Sequence, residues 1–422
     1  MEIKDTLNLP ITDFPMKASL TKREPEILAE WDKKELYKKI RQSSKGKPKF
    51  VFHDGPPYAN GHIHMGHALN KLLKDFIVKI MSMKGFDTGF IPGWDCHGLP
   101  IEHQVGKKLK EKKLSLEKSE IRKQCRIYAQ EFVDIQKEEF QRLGVLADWE
   151  NPYLTMNFSY EAAIVREFGK FVEKGFVYKG LKPVHWCTSC QTALAEAEVE
   201  HADHTSPSIY VKFPVQSGVP QGMAGLNNLS MVIWTTTPWT LPANLAVCLH
   251  PEFVYVAVSH GDETYIVAED LLSSLVAEWE MTDYKVLESC KGAEWENAVC
   301  RHPFIDRESK VILGDHVTLE QGTGCVHTAP GHGQDDYIVG LKYGLEPYNP
   351  VNNAGVFVPE VEHFGGMFVR KANPEIVEKL RQDGSLILAK DIKHSYPHCW
   401  RCHQPIIFRA TNQWFISMDK KD

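Results

Sequence analysis

The sequence lacks any apolar run near the roughly 18–20 residues a membrane span requires. Ser230–Trp234 and Leu241–Leu249 are among its longest, and both are short. The opening MEIKDTLNLP has no basic start followed by an apolar stretch, so it does not read as a secretory leader. The expectations are therefore a cytoplasmic location and no membrane partner. Excess positive charge is missing too: the formal net charge is −6, which excludes a global basic field but not a local basic patch. The run KKLKEKK (Lys107–Lys113) is one candidate patch, and a solvated helix face is the blander reading of it. Internal repeats and low-complexity tracts are absent, as is a Walker A loop, so any phosphate-handling element must be of another kind.

What remains is an ordinary globular composition, 43% hydrophobic and 25% charged, over 422 residues. That length suggests two or three domains. Ten cysteines are present, four of them as two CxxC pairs, Cys187/Cys190 and Cys399/Cys402. In a cytosolic chain this pattern argues for metal over disulfides. The spacing suits a tetrahedral Zn²⁺ of structural type, since four thiolates leave no open position; four reduced cysteines without metal are the alternative. About two hundred residues separate the pairs, which is unlike a zinc ribbon and fits a clasp at the base of an inserted block.

Along the chain, an arm and a helix stripe (Ile27, Leu28, Trp31, Leu36, Ile40) precede the loop Ser43–Pro48. A short buried strand is expected at Phe50–His53, then the loop Gly55–Gly61. A helix follows with Leu69, Leu72, Leu73, Phe76, Ile77 and Ile80 on one face, and a second strand at Phe86–Pro92. Strand, glycine-rich turn, helix, strand is a βαβ unit, which implies a parallel sheet covered by helices. Helical patterns recur at Glu120–Leu143 and Glu161–Lys174. Past Cys190 the chain becomes β-rich, with strands expected at Ser208–Val215, Met231–Thr236, Val254–Ser259, Thr264–Val267 and His316–Leu319. That spacing suggests a barrel-like domain. A helix returns near Pro374–Gln382 and a strand near Gln413–Ser417.

The richest local signal is GPPYANGHIHMGH, directly after the first strand. His64 and His67, three apart, lie on one side of a helix's first turn, where free N–H groups and the dipole make an anion site. Each can donate to phosphate oxygens as charge builds during attack on an α-phosphate. Gly66 between them allows a flat purine against the backbone. An isolated HxGH would read more simply as two capping or core histidines. The whole stretch resembles the signature of class I aminoacyl-tRNA synthetases, and its GPPYANG form resembles the isoleucine-specific branch. TLNLP (Thr6–Pro10), PGWDCHGLPIE (Pro92–Glu102), KPVHWC (Lys182–Cys187) and ALAEAEVE (Ala193–Glu200) extend the resemblance over essentially the whole chain; Met65 stands where isoleucine is commonest.

This resemblance implies ATP contacts from Pro57, Asn60, Gly61, His64, Gly66 and His67, with the two histidines as the catalytic pair. It implies an amino-acid pocket lined by Pro56 and Asp95, the latter pairing with the α-ammonium. A turn or cap carboxylate is the alternative for Asp95. The reaction implied is ATP-dependent activation of isoleucine, with Mg²⁺ on the phosphates, and transfer to tRNA(Ile). It further implies that WTTTPWTLPAN (Trp234–Asn244) and GTGCVHTAPGHGQDDY (Gly322–Tyr337) form an editing site. There Asp336 would anchor a valyl ammonium, and Thr235, Thr236, Thr237, Asn244 and His327 would line the pocket and orient water. Editing is needed because a pocket discriminates against one missing methylene by only about 1–3 kcal/mol; isoleucine against valine is itself the standard instance of that limit. Alternation along a strand would put Thr235 and Thr237 on one face. Strand propensity is the blander account of the threonines, and a helix-dipole role that of Asp335 and Asp336.

The expected organisation is an arm (1–47), the first half of a Rossmann-type catalytic domain (48–195), an inserted editing domain (196–392) and a return to the catalytic domain (393–422). A monomer is expected. The family's KMSKS loop and anticodon-binding helices are absent from the sequence, so a fragment is expected. A free-standing editing hydrolase, another HxGH adenylyltransferase and a zinc-clasped nucleic-acid module are the competing readings.

Overall fold

The structure is a computed structural model that describes residues 3–8, 13 and 17–419. Leu9 and Pro10 of TLNLP and the terminal Lys420–Asp422 lie outside the described residues. The chain divides into two compact units, residues 1–174 and 175–422.

The first unit contains α1 (Leu20–Lys33), α2 (Leu36–Ser43), α3 (Met65–Met83), β1 (Gly93–Trp94), α4 (Leu99–Glu111), α5 (Lys118–Arg142), β2 (Tyr153–Leu154) and α6 (Phe158–Glu173). Strands β1 and β2 pair in parallel, Gly93 with Tyr153. The strands expected at Phe50–His53 and Phe86–Pro92 do not form continuous ladders. Only isolated parallel bridges appear, Lys49 to Asp87 and Tyr58 to Asp95. The two stretches meet through only two backbone bonds, Phe50 N–H to the Asp87 carbonyl and Asp87 N–H to the Pro48 carbonyl, too few for a ladder. Just beyond, the carboxylate of fully buried Asp54 accepts the Gly93 N–H at 3.0 Å, and its carbonyl accepts the Tyr153 hydroxyl.

Asp54 lies against the inward side of α3. The buried positions of α3 are Lys71, Asp75 and Val78, whereas Leu69, Leu73, Phe76, Ile77 and Ile80 are exposed. Of the stripe that sequence periodicity would bury, Leu72 packs against the core of the first unit, and the other five residues are exposed in this chain. Lys71 and Lys74 both donate to Asp54, the latter at 2.7 Å, and Asp75 accepts the Leu146 N–H at 3.1 Å. Burial pulls the Lys71 ammonium below its usual range, while Asp54 opposes that pull.

The second unit contains β3 (Val177–Cys187), β4 (Thr192–Leu194), β5 (Val199–Ser217), β6 (Leu229–Thr235), β7 (Ala246–Leu249), β8 (Val254–His260), β9 (Glu263–Ala268), α7 (Leu272–Glu278), β10 (Lys285–Lys291), β11 (Val299–Arg301), β12 (Glu308–Leu313), β13 (Val326–Thr328), α8 (Gln334–Lys342), α9 (Val369–Gln382), β14 (Leu386–Cys399) and β15 (Ile407–Ile416). One sheet has the order β15-β3-β4. The larger, mixed sheet runs β10-β8-β9-β6-β5-β11-β12-β7-β13, with β14 added on β5. This is an open path, and the expected barrel-like closure is not seen among the described residues. The architecture is mixed α/β. His316–Leu319 is not a strand: the Val317 N–H bonds the Gly314 carbonyl in a turn that ends β12. Helix α9 packs the stripe Val369, Ala372, Ile376 and Leu380, all essentially inaccessible, into the main core. None of the described helices is long and apolar enough to cross a membrane.

Replacing Asp54 by alanine would strand two ammonium groups and a backbone N–H. We expect a loss of about 3–5 kcal/mol, read from urea unfolding followed by a probe in the first unit; a midpoint unchanged from wild type would show that the pair holds nothing.

Candidate ligand sites and a four-cysteine cluster

In the first unit, α5 organises the loop before α3. Buried Gln136 receives the Trp94 indole N–H at 3.0 Å and donates to the carbonyls of Tyr58 and Gly61 at 3.1 and 2.8 Å. Glu139 accepts the Ile63 N–H at 2.9 Å, and Tyr128 donates to Asn60 Oδ1 at 2.8 Å. On the other side, the loop zips against Asp95: Ala59 N–H to the Asp95 carbonyl and Asp95 N–H to the Pro57 carbonyl, both 2.8 Å. The loop and Asp95 are thus brought together. Asp95 Oδ1 accepts the His97 N–H in a turn, as the blander reading had it, and Thr155 reaches it at 3.5 Å.

His64 caps α3. Its Nδ1 accepts the Gly66 N–H at 3.0 Å, and the His64 N–H in turn reaches His67 Nδ1 at 3.3 Å. Because both Nδ1 atoms accept, both neutral rings carry their proton on Nε2. Burial, with His64 and Lys71 nearby, lowers the basicity of His67 and favours that neutral form. The rings lie 3.9 Å apart and His64 is exposed. A Cβ at Gly66 would sit 2.8 Å from the His64 ring, so a side chain here would push the capping ring aside. A small cavity of about 220 Å³ is lined by Pro56, Pro57, Gly66, His67, Asn70 and Lys71. Asn60 and Gly61 are not among its lining residues; they shape the loop behind it.

In the second unit, a cavity of about 390 Å³ gathers Thr235, Thr236, Thr237, His327 and Asp336. Thr235 and Thr237 do share a side, their hydroxyls 3.3 Å apart, but the cause is not strand alternation. Strand β6 ends at Thr235, and the Thr235 hydroxyl accepts the Thr237 N–H at 3.1 Å in a turn.

His327 is saturated. Asn244 Nδ2, which also donates to the Ala246 carbonyl at 2.8 Å, donates to His327 Nδ1 at 2.9 Å. His327 Nε2–H therefore donates to the Thr240 hydroxyl at 2.8 Å, and Thr240 donates onward to the Thr237 carbonyl at 2.9 Å. Ser309 completes Asn244 by donating to its Oδ1 at 2.7 Å. Burial pushes the His327 ring down to about 3, so it stays neutral. Asn244 stands behind His327 and does not line the cavity.

Asp336, in the first turn of α8, accepts the Ala329 N–H at 2.9 Å on Oδ2. Burial pushes its carboxyl up to about 7, with Asp335 adding to the rise and the Ala329 bond opposing it. Two further residues of this cavity were not singled out from sequence: His316 and His332, each with Nε2 buried and unpartnered. His332 falls inside the motif GTGCVHTAPGHGQDDY, but nothing in the linear pattern separates it from His327. A buried acceptor without a partner costs about 1–3 kcal/mol, so each of these atoms requires an account.

The four paired cysteines converge. Their Sγ atoms all lie within 4.8 Å of one another, with Cys187 and Cys402 at 3.4 Å. A tetrahedron of Zn–S bonds of about 2.3 Å spans comparable edges. Burial holds the Cys187 thiol up at about 11, as expected for thiols crowded together without a counter-charge. No histidine joins this group among the described residues; His398 and His403 bond the Tyr396 carbonyl and Glu200 instead.

Comparison with known proteins bears on these arrangements. Residues 26–421 match the family model described as tRNA synthetases class I (I, L, M and V). The chain belongs to that family. It is similar to proteins named isoleucine–tRNA ligase: 59% identical over 421 residues to that of Syntrophotalea carbinolica, covering 99% of this chain and 45% of the relative. It is 59% identical over 425 residues to that of Geobacter sulfurreducens, covering 100% and 46%. The chain thus spans about half the length of the curated class I relatives it matches. A solved structure described as GlLeuRS-CP1 aligns with 43% of this chain and 98% of its own at a TM-score of 0.37 and 16% identity, too distant to bear weight.

The saturated network around Asn244 predicts a structural phenotype for this class I chain. Asn244→Ala should lower stability by about 2–4 kcal/mol in thermal or urea unfolding, because His327, Ser309 and the Ala246 carbonyl all lose a partner. An unchanged midpoint would mean that Asn244 serves a ligand and not the fold.

Proposed function

We propose that this chain carries the ATP-dependent isoleucine-activating site of an isoleucine–tRNA ligase, together with its hydrolytic site for valine misattached to tRNA(Ile). The observation that carries this reading is the identity of 59% to isoleucine–tRNA ligases over essentially the whole chain, joined to two separate clusters whose chemistry suits the two tasks.

For activation, His64 and His67 would present Nε2–H donors to ATP phosphates, which supports a role in stabilising charge built up during attack by the isoleucine carboxylate. Mg²⁺ would supply charge neutralisation on the phosphates when ATP is bound. Pro57, Asn60 and Gly61 set the loop, and Gly66 lets the cap form beside the nucleotide. Pro56 and Asp95 would face the amino acid, Asp95 pairing with its ammonium. The Rossmann-type half-domain at 48–195, the insertion at 196–392 and the return at 393–422 are part of the same reading. So are a monomeric state and a cytoplasmic location.

For editing, Asp336 would anchor the α-ammonium of a valyl ester, and Thr235, Thr236 and Thr237 would shape the pocket and hold the attacking water. His327, held by Asn244 and Thr240, would fix the threonine loop from behind. Zn²⁺ at Cys187, Cys190, Cys399 and Cys402 would be structural, clasping the ends of the insertion.

Asp336→Ala should reduce deacylation of valyl-tRNA(Ile) by at least about a hundredfold while leaving the chain folded; hydrolysis at the normal rate would reject the assignment. The sign of the pH effect follows from linkage. A carboxyl raised to about 7 on folding makes the native state bind more protons than the unfolded state between about pH 4 and 7, so its stability contribution falls as pH rises through that window. Asp336→Asn should therefore gain Tm relative to wild type on going from pH 5 to pH 8, and a constant difference would contradict the raised pKa. For the metal, elemental analysis should find one zinc per chain, and a chelator should lower the Tm of the second unit; purified folded chain free of zinc would refute the clasp.

A further inference from the structure

His332 has a fixed tautomer and an unused atom. Its Nδ1 lies 3.0 Å from the Phe408 carbonyl, which only accepts, so the ring proton sits on Nδ1 and Nε2 is a bare lone pair. That Nε2 is shielded and has no partner, although the ring lines the cavity that holds Asp336 and the three threonines. The residue is 7% exposed. Its position is rigid: Ala410 N–H bonds the Gly331 carbonyl at 2.7 Å, and His332 N–H bonds the Ala329 carbonyl at 2.8 Å. A Cβ at Gly331 would stand 2.1 Å from the Tyr348 carbonyl, so the backbone beside His332 is packed tight and permits only glycine. The Trp239 ring braces the imidazole edge-to-face at 4.9 Å. By contrast, every hydrogen-bonding position of His327 is already occupied within the chain.

We propose that His332 Nε2 accepts a hydrogen bond from the ribose hydroxyl left free when an amino acid is esterified to its neighbour on a terminal adenosine, making His332 a positioning residue of the hydrolytic pocket. The inference rests on the editing reading above. An acceptor requires a donor, and four are present in such a ligand complex: the ammonium, the attacking water, the adenine amino group and the free hydroxyl. The adenine amino group lies across the nucleoside from the ester, away from a ring that shares its cavity with Asp336. The ammonium finds a stronger, charge-assisted partner in Asp336. Water activation calls for a base, and burial lowers this ring to about 4, too weak to take a proton near neutrality. The neutral hydroxyl is the donor that fits a neutral acceptor.

The test uses the full chain and two hydrolysis-resistant ligands, 3′-(L-valylamino)-3′-deoxyadenosine and its 2′-deoxy counterpart, with Kd measured by calorimetry. Wild type should bind the hydroxyl-bearing analogue about tenfold tighter. His332→Phe, which keeps a ring but no acceptor, should bind the two equally. His332→Gln, which restores an acceptor, should recover part of the preference and covers the case in which the phenylalanine variant does not fold. A wild type that binds both analogues equally, or a His332→Phe chain that keeps the full preference, overturns the proposal while leaving the editing reading intact. A wild type that binds neither analogue sinks the editing reading and this inference with it.

Discussion

The second unit depends on one long antiparallel ladder, in which Leu386–Cys399 pairs with Val199–Val211. The two strands are nearly two hundred residues apart in the chain, so their pairing closes a large loop and its entropic cost must be met by many bonds acting together. Its far end carries the cysteines into register: Cys399 stands opposite Val199, a few residues beyond Cys187 and Cys190. Its near end leads into β6 through β5, where Ile209 stands opposite Thr235. The thiol cluster and the threonine turn are thus two consequences of one register. A slip by a single residue would turn every side chain of β5 over and separate both.

Within that frame, buried polar groups sort into those the chain satisfies and those it leaves open. Asn244, His327, Thr240 and Ser309 form a closed set in which each donor meets an acceptor, and such sets rigidify a fold. His332 and His316, which line the same cavity, each keep a buried Nε2 without a partner. The first unit uses the closed kind at its centre. Asp54 meets two lysines and a backbone amide, beside the core to which Leu72 and Val78 of α3 contribute.

Features determined by neighbours in the chain were legible in the sequence: the loop ending at the α3 cap, the spans of α5 and α6, and the glycine-rich turn into α8. The cysteine clustering was legible too, because thiol chemistry limits what two CxxC pairs can do. Features determined by distant partners were not. The contact between Lys71 and Asp54 joins residues seventeen apart in the chain. The large sheet pairs β12 in parallel with β7, a crossover that no local pattern announces. The turn at His316 follows from Gly314, where a Cβ would lie 2.8 Å from the Cys248 sulfur. The difference between His327 and His332 lies in which carbonyl or amide each ring meets, and β15, which supplies the Phe408 carbonyl, is some seventy residues away.

The signature histidines show why a structural and a functional account need not compete. Read from sequence, His64 and His67 are either helix caps or phosphate ligands. In the fold each acts as a cap through Nδ1, and capping fixes the tautomer that turns an Nε2–H outward. The bond that satisfies the helix is thus the one that prepares the donor, and Gly66 leaves the first ring in place, where a Cβ would displace it. A lysine or arginine could supply charge at this position, but it could not accept the Gly66 amide and donate outward from the same rigid group. Neutral imidazole meets both demands at once, which is a physical reason for that residue type at the mouth of α3.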